Sequence, residues 1–191
     1  MSLSTRPSAK ITIRDIALIG LMTATLEVVK LALSFLPNIE LVTLLIMLYT
    51  VTFGWRTLCA VFCFILVEMV LYGPGLWWIM YLYIWPLLFF IVLFIHHLHL
   101  QKESPNKEPV KDHLALYTLV SGFYGLTFGA VCAIPYLFIG GWTMAFTWWI
   151  AGIPYDLLHC VGNVAACLIL WKPLRRILLK CKDTGFTSGG K

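Results

Sequence analysis

The sequence predicts an all-α, polytopic membrane protein: one bundle of six transmembrane helices with both termini in the cytoplasm. Hydrophobic residues make up 60% of the chain and charged residues only 12%, whereas roughly a quarter of a soluble domain is charged. The mean hydropathy is +0.87. Several apolar stretches also approach the ~20 residues that a helix needs to cross hydrocarbon. We therefore expect a single transmembrane domain over residues 1–191.

Short segments rich in turn-forming or charged residues separate the predicted spans. These segments are LPNIE, GWR, YGPG, FIGGWT and the longer HHLHLQKESPNKEPVKDH. The predicted helices cover approximately 12–36, 39–54, 57–72, 76–97, 113–139 and 146–172, with a cytoplasmic tail over 173–191. The first stretch is too long for the apolar core of a cleaved signal peptide, so it is expected to remain as a helix.

Lysine and arginine residues give the predicted orientation. They lie before the first helix, between the second and third, between the fourth and fifth, and after the sixth. The connections around Pro37, Gly73 and Gly140 contain none. By the positive-inside rule the basic set is cytoplasmic. The net charge of +5 is then a topology signal with some attraction to anionic lipid, so the expected surroundings are a lipid bilayer and no nucleic acid.

Charged side chains within the spans mark either a function or a compensated pair, because charge is costly at membrane depth. Glu27 and Lys30 fall in the outer half of the first predicted helix. Glu40 opens the second helix, and Glu68 lies near the outer end of the third. The alternatives are an intrahelical Glu27–Lys30 ion pair and glutamates that simply face the headgroups.

The stretch GIPYDLLHCVGN places polar groups at helical spacing on the last helix. Pro154 is predicted as its first helical residue, where a missing N–H costs nothing, and Asp156 in its first turn, where an anion complements the helix dipole. His159 and Asn163 follow on the same side. With the other charged groups this predicts a pocket open to the outside and closed below, rather than a pore. The alternatives are a helix cap for Asp156 and a satisfied core histidine for His159.

Aromatic residues are concentrated on the same predicted side of the membrane. Interfacial belts explain many of them, but the excess on one side favours a site that stacks a ring-bearing ligand. The aromatic candidates are Trp78, Tyr81, Trp85 and Tyr136. The motif HHLH at 96–99 is either a metal cluster or a set of imidazoles that face the interface and the negative helix end.

The chain shows no motor of its own. The tail GFTSGGK has the spacing of a phosphate-binding loop but lacks the following Ser or Thr, the strand and the helix, so it is interpreted as a disordered tail. Ala17, Gly20 and Ala24 form a small-residue pattern on the first helix. Such a pattern lets a second membrane helix approach closely, or else it packs tightly within this bundle.

Over residues 12 to 178 the chain resembles the substrate-binding S components of energy-coupling factor (ECF) transporters. The matching stretches are IELVTLLIMLYTVTFGWR, GLWWIMYLYIWPLL and GIPYDLLHCVGN followed by KPLRRIL. The resemblance implies a multi-pass protein of the bacterial cell membrane, without enzymatic activity or cofactor. It would bind a vitamin or related micronutrient from outside, with a cobalamin-like compound as the first expectation. Its partners would be a transmembrane scaffold protein and two ATPase subunits, and the scaffold would contact the Gly20 to Ala24 pattern.

The predicted ligand-binding residues are the polar and aromatic groups at the outer side. They are Asn38, Glu40, Glu68, Trp78, Tyr81, Trp85, Tyr136, Asp156, His159 and Asn163. No metal site is expected. Two other functions remain open at this point: an intramembrane enzyme that uses Asp156 and His159 as an acid–base pair, and a passive channel.

Overall fold

A computed structural model describes residues 11–102 and 113–183, with the side chains of 99–102 left out. Within these ranges the regular structure is helical and contains no strand. The six helices are α1 (Ile13–Ala32), α2 (Val42–Phe53), α3 (Arg56–Tyr72), α4 (Leu76–Lys102), α5 (Leu114–Cys132) and α6 (Ile134–Cys181). The all-helical fold class is thus confirmed for the described part of the chain.

Local sequence signals explain the ends of the first three helices. Thr12 and Asp15 form a capping box at the start of α1, in which each side chain accepts a hydrogen bond from the backbone N–H of the other. Gly54 follows α2 with φ of 60°, and Gly73 follows α3 with φ of 78°. Glycine adopts this left-handed region without a steric penalty, so both helices end close to the predicted boundaries.

The region between the last two predicted helices contains an interruption at Ala133 and a break at Gly140 and Gly141. α5 ends at Cys132 and the next helical residue is Ile134, with Pro135 directly after it, so the predicted helix over 113–139 is interrupted at Ala133. The predicted connection FIGGWT coincides with a break: Gly140 and Gly141 leave helical geometry and separate two helical segments within Ile134–Cys181, and Tyr136 before the break stacks on Trp148 after it. The helix also continues to Cys181, beyond the predicted start of the tail at 173. The segment GFTSGGK lies outside the described residues.

The bundle is organised around α2 and two long helix–helix seams. α2 is buried on nearly every side, as expected for a helix that is apolar all round. α1 and α3 run in the same direction, because Asp15 pairs with Arg56 at their beginnings and Lys30 pairs with Glu68 towards their ends. α5 and α6 pack antiparallel, and Tyr117 of α5 stacks on the fully buried Trp171 of α6 at 4.4 Å between ring centroids.

Three of the described helices have the length and composition needed to cross a membrane: Leu76–Leu98, Leu114–Cys132 and Ile134–Cys181. α2 is apolar but has only 12 residues, and α3 has 17. α1 is long enough, but it carries four charged side chains. Large apolar side chains such as Phe138 and Val70 are exposed on the outer surface, which suits contact with lipid. The six-span arrangement remains a prediction.

Candidate ligand-binding site

A cavity of about 220 Å³ lies beneath the connection between α1 and α2. We call it the polar cavity. Its polar and aromatic lining consists of Lys30, Ser34, Asn38, Glu40, Tyr81, Trp85 and His159, and its apolar lining of Leu33, Leu36, Ile39, Val42 and Phe128. The wall therefore combines the connection with side chains from α1, α2, α4, α5 and α6. Five of the predicted site residues meet here.

Glu40 lies at the end of the α1–α2 connection, where hydrogen bonds to the first turn of α2 hold its side chain. Its carboxylate accepts hydrogen bonds from the backbone N–H of Thr43, at 2.9 Å to Oε2, and from the Thr43 hydroxyl. These contacts cap the otherwise unpaired N–H groups of the helix. The same carboxylate lies 3.1 Å from Nε2 of His159. Glu40 thus joins the N-terminus of α2 to the middle of α6.

Two buried ring nitrogens at the cavity have no hydrogen-bond partner among the described residues: Nδ1 of His159 and Nε1 of Trp85. Both side chains are only 3% exposed. Phe128 holds the His159 ring edge-to-face at 4.8 Å between centroids, and Tyr81 contacts Trp85 in the same manner at 5.5 Å. Leaving a buried polar atom unpaired costs about 1–3 kcal/mol. A ligand or water that bonds to these nitrogens would recover that cost.

The connection that covers the cavity contains one unusual backbone position. Asn38 has φ of 55°, a left-handed conformation that asparagine tolerates better than most non-glycine residues. This turn brings Asn38 to the cavity wall beside Ile39 and Glu40. Asn38 and Glu40, which were predicted at the outer side, thus belong to a segment over 33–41 that covers the polar cavity.

Glu68 lies in an adjacent pocket of about 360 Å³, which shares Lys30, Ser34 and Tyr81 with the polar cavity. Its Oε2 pairs with the ammonium group of Lys30 on α1. The alternative of an intrahelical Glu27–Lys30 ion pair is therefore wrong, because the lysine reaches across to α3. Glu27 is itself buried.

Asp156 and Asn163 lie on the same buried stripe of α6 as His159, but they contact α5 rather than the polar cavity. Oδ1 of Asp156 accepts a hydrogen bond from the backbone N–H of Gly129 at 2.9 Å. Nδ2 of Asn163 donates to the carbonyl oxygen of Ser121 at 3.3 Å. Neither side chain lines the polar cavity. Most of the predicted stripe is thus a polar helix–helix contact.

The predicted start of the last helix at Pro154 is wrong. After the break at Gly140 and Gly141 the helix runs without interruption through Pro154, so this proline lies in its interior. Asp156 is consequently not in a first turn, and neither a cap nor the helix dipole accounts for it. Its buried carboxylate is held instead by the close approach of Gly129, described above.

Two aromatic candidates serve other contacts. Tyr136 stacks on Trp148 at 4.9 Å between centroids, on either side of the break in α6. Nε1 of Trp78 donates to the carbonyl oxygen of Ile65 at 3.1 Å and joins α4 to α3. Neither lines the polar cavity. Ser34 and Phe128 line the polar cavity but were not predicted as site residues. Ser34 could have been found, because it lies one helical turn from Lys30 on the same face. No sequence pattern distinguishes Phe128 from the other aromatic residues.

The small residues of α1 lie on a free face of the bundle. Ala17, Gly20 and Ala24 are all exposed, and a Cβ added at Gly20 would meet nothing within 4 Å. The alternative of tight packing inside the bundle is therefore wrong. At the opposite end of the bundle from the polar cavity, Nδ1 of His96 lies 3.2 Å from the Tyr117 hydroxyl, while the His99 side chain is outside the described residues. The described residues contain no group of three potential metal ligands.

The arrangement suits binding better than acid–base chemistry. Within the described chain Oδ2 of Asp156 and Nδ1 of His159 have no hydrogen-bond partner, and Oδ1 of Asp156 accepts from Gly129. Asp156 therefore does not orient the imidazole. Comparison with protein-family models, curated proteins and solved structures finds no match. The polar cavity is lined by a carboxylate, an imidazole and the aromatic rings of Tyr81, Trp85 and Phe128, a mixture of apolar walls and a few polar groups that is typical of small-molecule pockets.

Proposed function

We propose that this chain is the membrane-embedded, substrate-binding subunit of a micronutrient importer, of the kind represented by the S components of ECF transporters. In this proposal six helices cross the bacterial cell membrane and both termini are cytoplasmic. The observation that carries the proposal is the polar cavity with its two buried, unpartnered ring nitrogens. Such atoms are expected where a ligand supplies the missing hydrogen bonds.

The distribution of basic residues supports access from outside. Arg56 belongs to the basic set that the positive-inside rule assigns to the cytoplasm, and it pairs with Asp15 at the beginnings of α1 and α3. Lys30 and Glu68 pair towards the other ends of the same two parallel helices. Lys30 also lines the polar cavity. The cavity therefore lies at the end of the bundle that faces outward in this orientation.

The size of the cavity bears on the ligand. Small-molecule pockets commonly measure roughly 300–1,000 Å³, and the polar cavity measures about 220 Å³. A one- or two-ring micronutrient suits this volume and its stacked aromatic walls. A cobalamin is too large for this cavity because of its corrin macrocycle. The proposal of a cobalamin ligand therefore requires that the segment over 33–41 opens.

Transport would depend on partners. The described residues show no feature that would couple binding to energy, and the proposal assigns that task to a transmembrane scaffold and two ATPases. Ala17, Gly20 and Ala24 form an exposed stripe of small residues, which permits close packing of another helix. Gly20→Trp should abolish co-purification with the scaffold while ligand affinity is retained. Leu119→Trp, at an exposed position of α5, is the matched control, and a normal complex with Gly20→Trp would refute this docking face.

The decisive experiment is mass spectrometry of small molecules extracted from the purified, full-length protein, followed by a thermal-shift panel of vitamins. We expect one retained micronutrient that raises the melting temperature. His159→Ala should then raise its Kd by about tenfold, since a buried hydrogen bond is worth on the order of 1 kcal/mol or more. His97→Ala is the matched control, because His97 is exposed and on the far part of α4. An empty extract with no shift across the panel would refute the proposal.

A further inference from the structure

A second polar cluster lies next to the polar cavity and is unbalanced in charge. Glu27 and Glu68 are 8% and 0% exposed, and Lys30 pairs with one oxygen of Glu68. Within the described chain the other Glu68 oxygen and both Glu27 oxygens accept no hydrogen bond from another residue type, but Glu27 and Glu68 are close enough for their carboxyl groups to share a proton. Two carboxyl groups thus face one ammonium group.

Among the residues that the structure describes, no other lysine or arginine pairs with these carboxyl groups. Lys30 is the sole basic residue of these two types within 15–55, 57–101 and 112–171. A buried carboxylate without a compensating partner is strongly unfavourable. The charge of the cluster is therefore balanced either by a proton shared between the two carboxyl groups or by one additional positive charge from a ligand.

The space beside the carboxylates is built from aromatic faces. The ammonium nitrogen of Lys30 lies 5.0 Å from the ring centroid of Tyr72, 5.8 Å from that of Trp77 and 5.2 Å from that of Tyr81. We call these three rings the aromatic cage. All three distances are within the ~6 Å at which a cation is attracted to the face of a ring, the arrangement with which proteins recognise quaternary ammonium ligands.

The aromatic cage borders an open pocket. The three rings, Lys30 and Glu68 line the volume of about 360 Å³ that adjoins the polar cavity. The lysine has a flexible four-carbon stem and approaches from α1, so its head group is able to leave the rings without moving a helix.

We propose that the aromatic cage, with Glu27 and Glu68 behind it, binds an organic cation, and that the Lys30 ammonium group occupies this position when the cation is absent. The inference rests on the proposed function and deepens it: the imported ligand carries a positively charged nitrogen, which enters the aromatic cage while the rest of the molecule occupies the polar cavity.

The test compares cations with neutral molecules of the same shape. Full-length protein in detergent is titrated with choline chloride and with its carbon isostere 3,3-dimethylbutan-1-ol, and likewise with benzylammonium chloride and benzyl alcohol. Sodium chloride at equal concentration controls for ionic strength. Calorimetric Kd values should be lower for each cation than for its neutral partner by about tenfold or more, the factor expected from desolvated cation–π contacts.

Variants of the charged residues distinguish a binding role from a structural one. Lys30→Met removes the internal competitor and leaves both carboxylates, so choline should bind about tenfold more tightly. Glu68→Gln and Glu27→Gln keep the side-chain shape but remove negative charge, so each should weaken choline binding. Asp183→Asn, on an exposed acid near the end of α6, is the matched control. If Lys30→Met does not fold, the two glutamate variants still decide the question.

Several results would overturn the inference. Equal affinity for choline and its neutral isostere would do so, as would weaker choline binding by Lys30→Met or unchanged binding by both glutamate variants. Tight binding of benzoate that disappears in Lys30→Met would identify an anion site instead. A retained neutral or anionic vitamin whose affinity is unaffected by the glutamate variants would refute the cation site and leave the proposed function standing. Cation binding by a protein that retains no micronutrient would support the cation site and refute the proposed function.

Discussion

Replacing Gly129 with alanine tests the close contact between α5 and α6. A Cβ at this position would lie 2.7 Å from Oδ1 of Asp156 and 2.9 Å from its Cγ, whereas non-bonded carbon atoms are in optimal contact at about 3.5–4.0 Å. The carboxyl group would have to move. Its hydrogen bond from the Gly129 N–H, 2.9 Å long, would then be lost.

The expected loss of stability follows from these two effects. Overpacking of a well-packed contact costs about 1–3 kcal/mol, and the buried hydrogen bond contributes about 1 kcal/mol. The free energy of unfolding should therefore fall by about 2–4 kcal/mol. For a chain of this size 1 kcal/mol corresponds to about 2–4 °C, so the melting temperature should fall by about 4–16 °C.

The assay is thermal unfolding in detergent, followed by intrinsic fluorescence. Gly152→Ala is the matched control: its added Cβ meets nothing within 4 Å, and alanine is favoured over glycine in a helix by about 0.5–1 kcal/mol. Combining Gly129→Ala with Asp156→Ala removes the carboxyl group that the added Cβ would clash with. The double variant should therefore lose less stability than the sum of the losses of the two single variants. Additive losses, or a Gly129→Ala protein as stable as Gly152→Ala, would refute the reasoning.

Two further predictions concern stability. Trp171→Ala removes a fully buried ring stacked on Tyr117 and should cost about 3–5 kcal/mol, whereas Trp142→Ala, at a position 81% exposed, should leave the melting temperature nearly unchanged; similar melting temperatures for the two variants would contradict the buried position. Asp15→Ala should destabilise more than Arg56→Ala, because it removes the hydrogen bonds that the Thr12 N–H and hydroxyl donate to the carboxylate, worth about 1 kcal/mol, as well as a partly exposed ion pair worth about 0–1 kcal/mol. The reverse order in thermal unfolding would count against the capping box.

The sequence predicted the helices best where local signals act alone. The start of α1 follows from the Thr12–Asp15 capping box, and the ends of α2 and α3 follow from glycines with positive φ. The prediction placed the connection at GG, where Gly140 and Gly141 do leave helical geometry, but it missed the additional interruption at Ala133, because AIP is a weaker turn signal than GG. At Gly140 and Gly141 the backbone bends, but helical hydrogen bonding resumes on both sides.

The candidate site was predicted only in part, because a helical stripe gives the face of a helix and not the neighbour that covers it. Asp156, His159 and Asn163 are all buried, as their spacing required. Which of them reaches a cavity depends on where glycines let α5 approach, and Gly125 and Gly129 lie against the backbone or side chains of α6. Only tertiary structure supplies that information.

The two ion pairs on the α1–α3 seam differ in how well their charges are matched. Asp15 and Arg56 are matched one to one, and Thr12 satisfies the same carboxylate, so this end needs no further charge. At the other end Lys30 faces two buried carboxyl groups beside the three rings of the aromatic cage, so one further positive charge, from a proton or from a cationic ligand, would balance this cluster. Stability alone would favour one acidic and one basic residue at each end. Replacing the surplus glutamate by an apolar residue would remove its desolvation cost. Retention of the imbalance is intelligible if the missing charge arrives with a ligand.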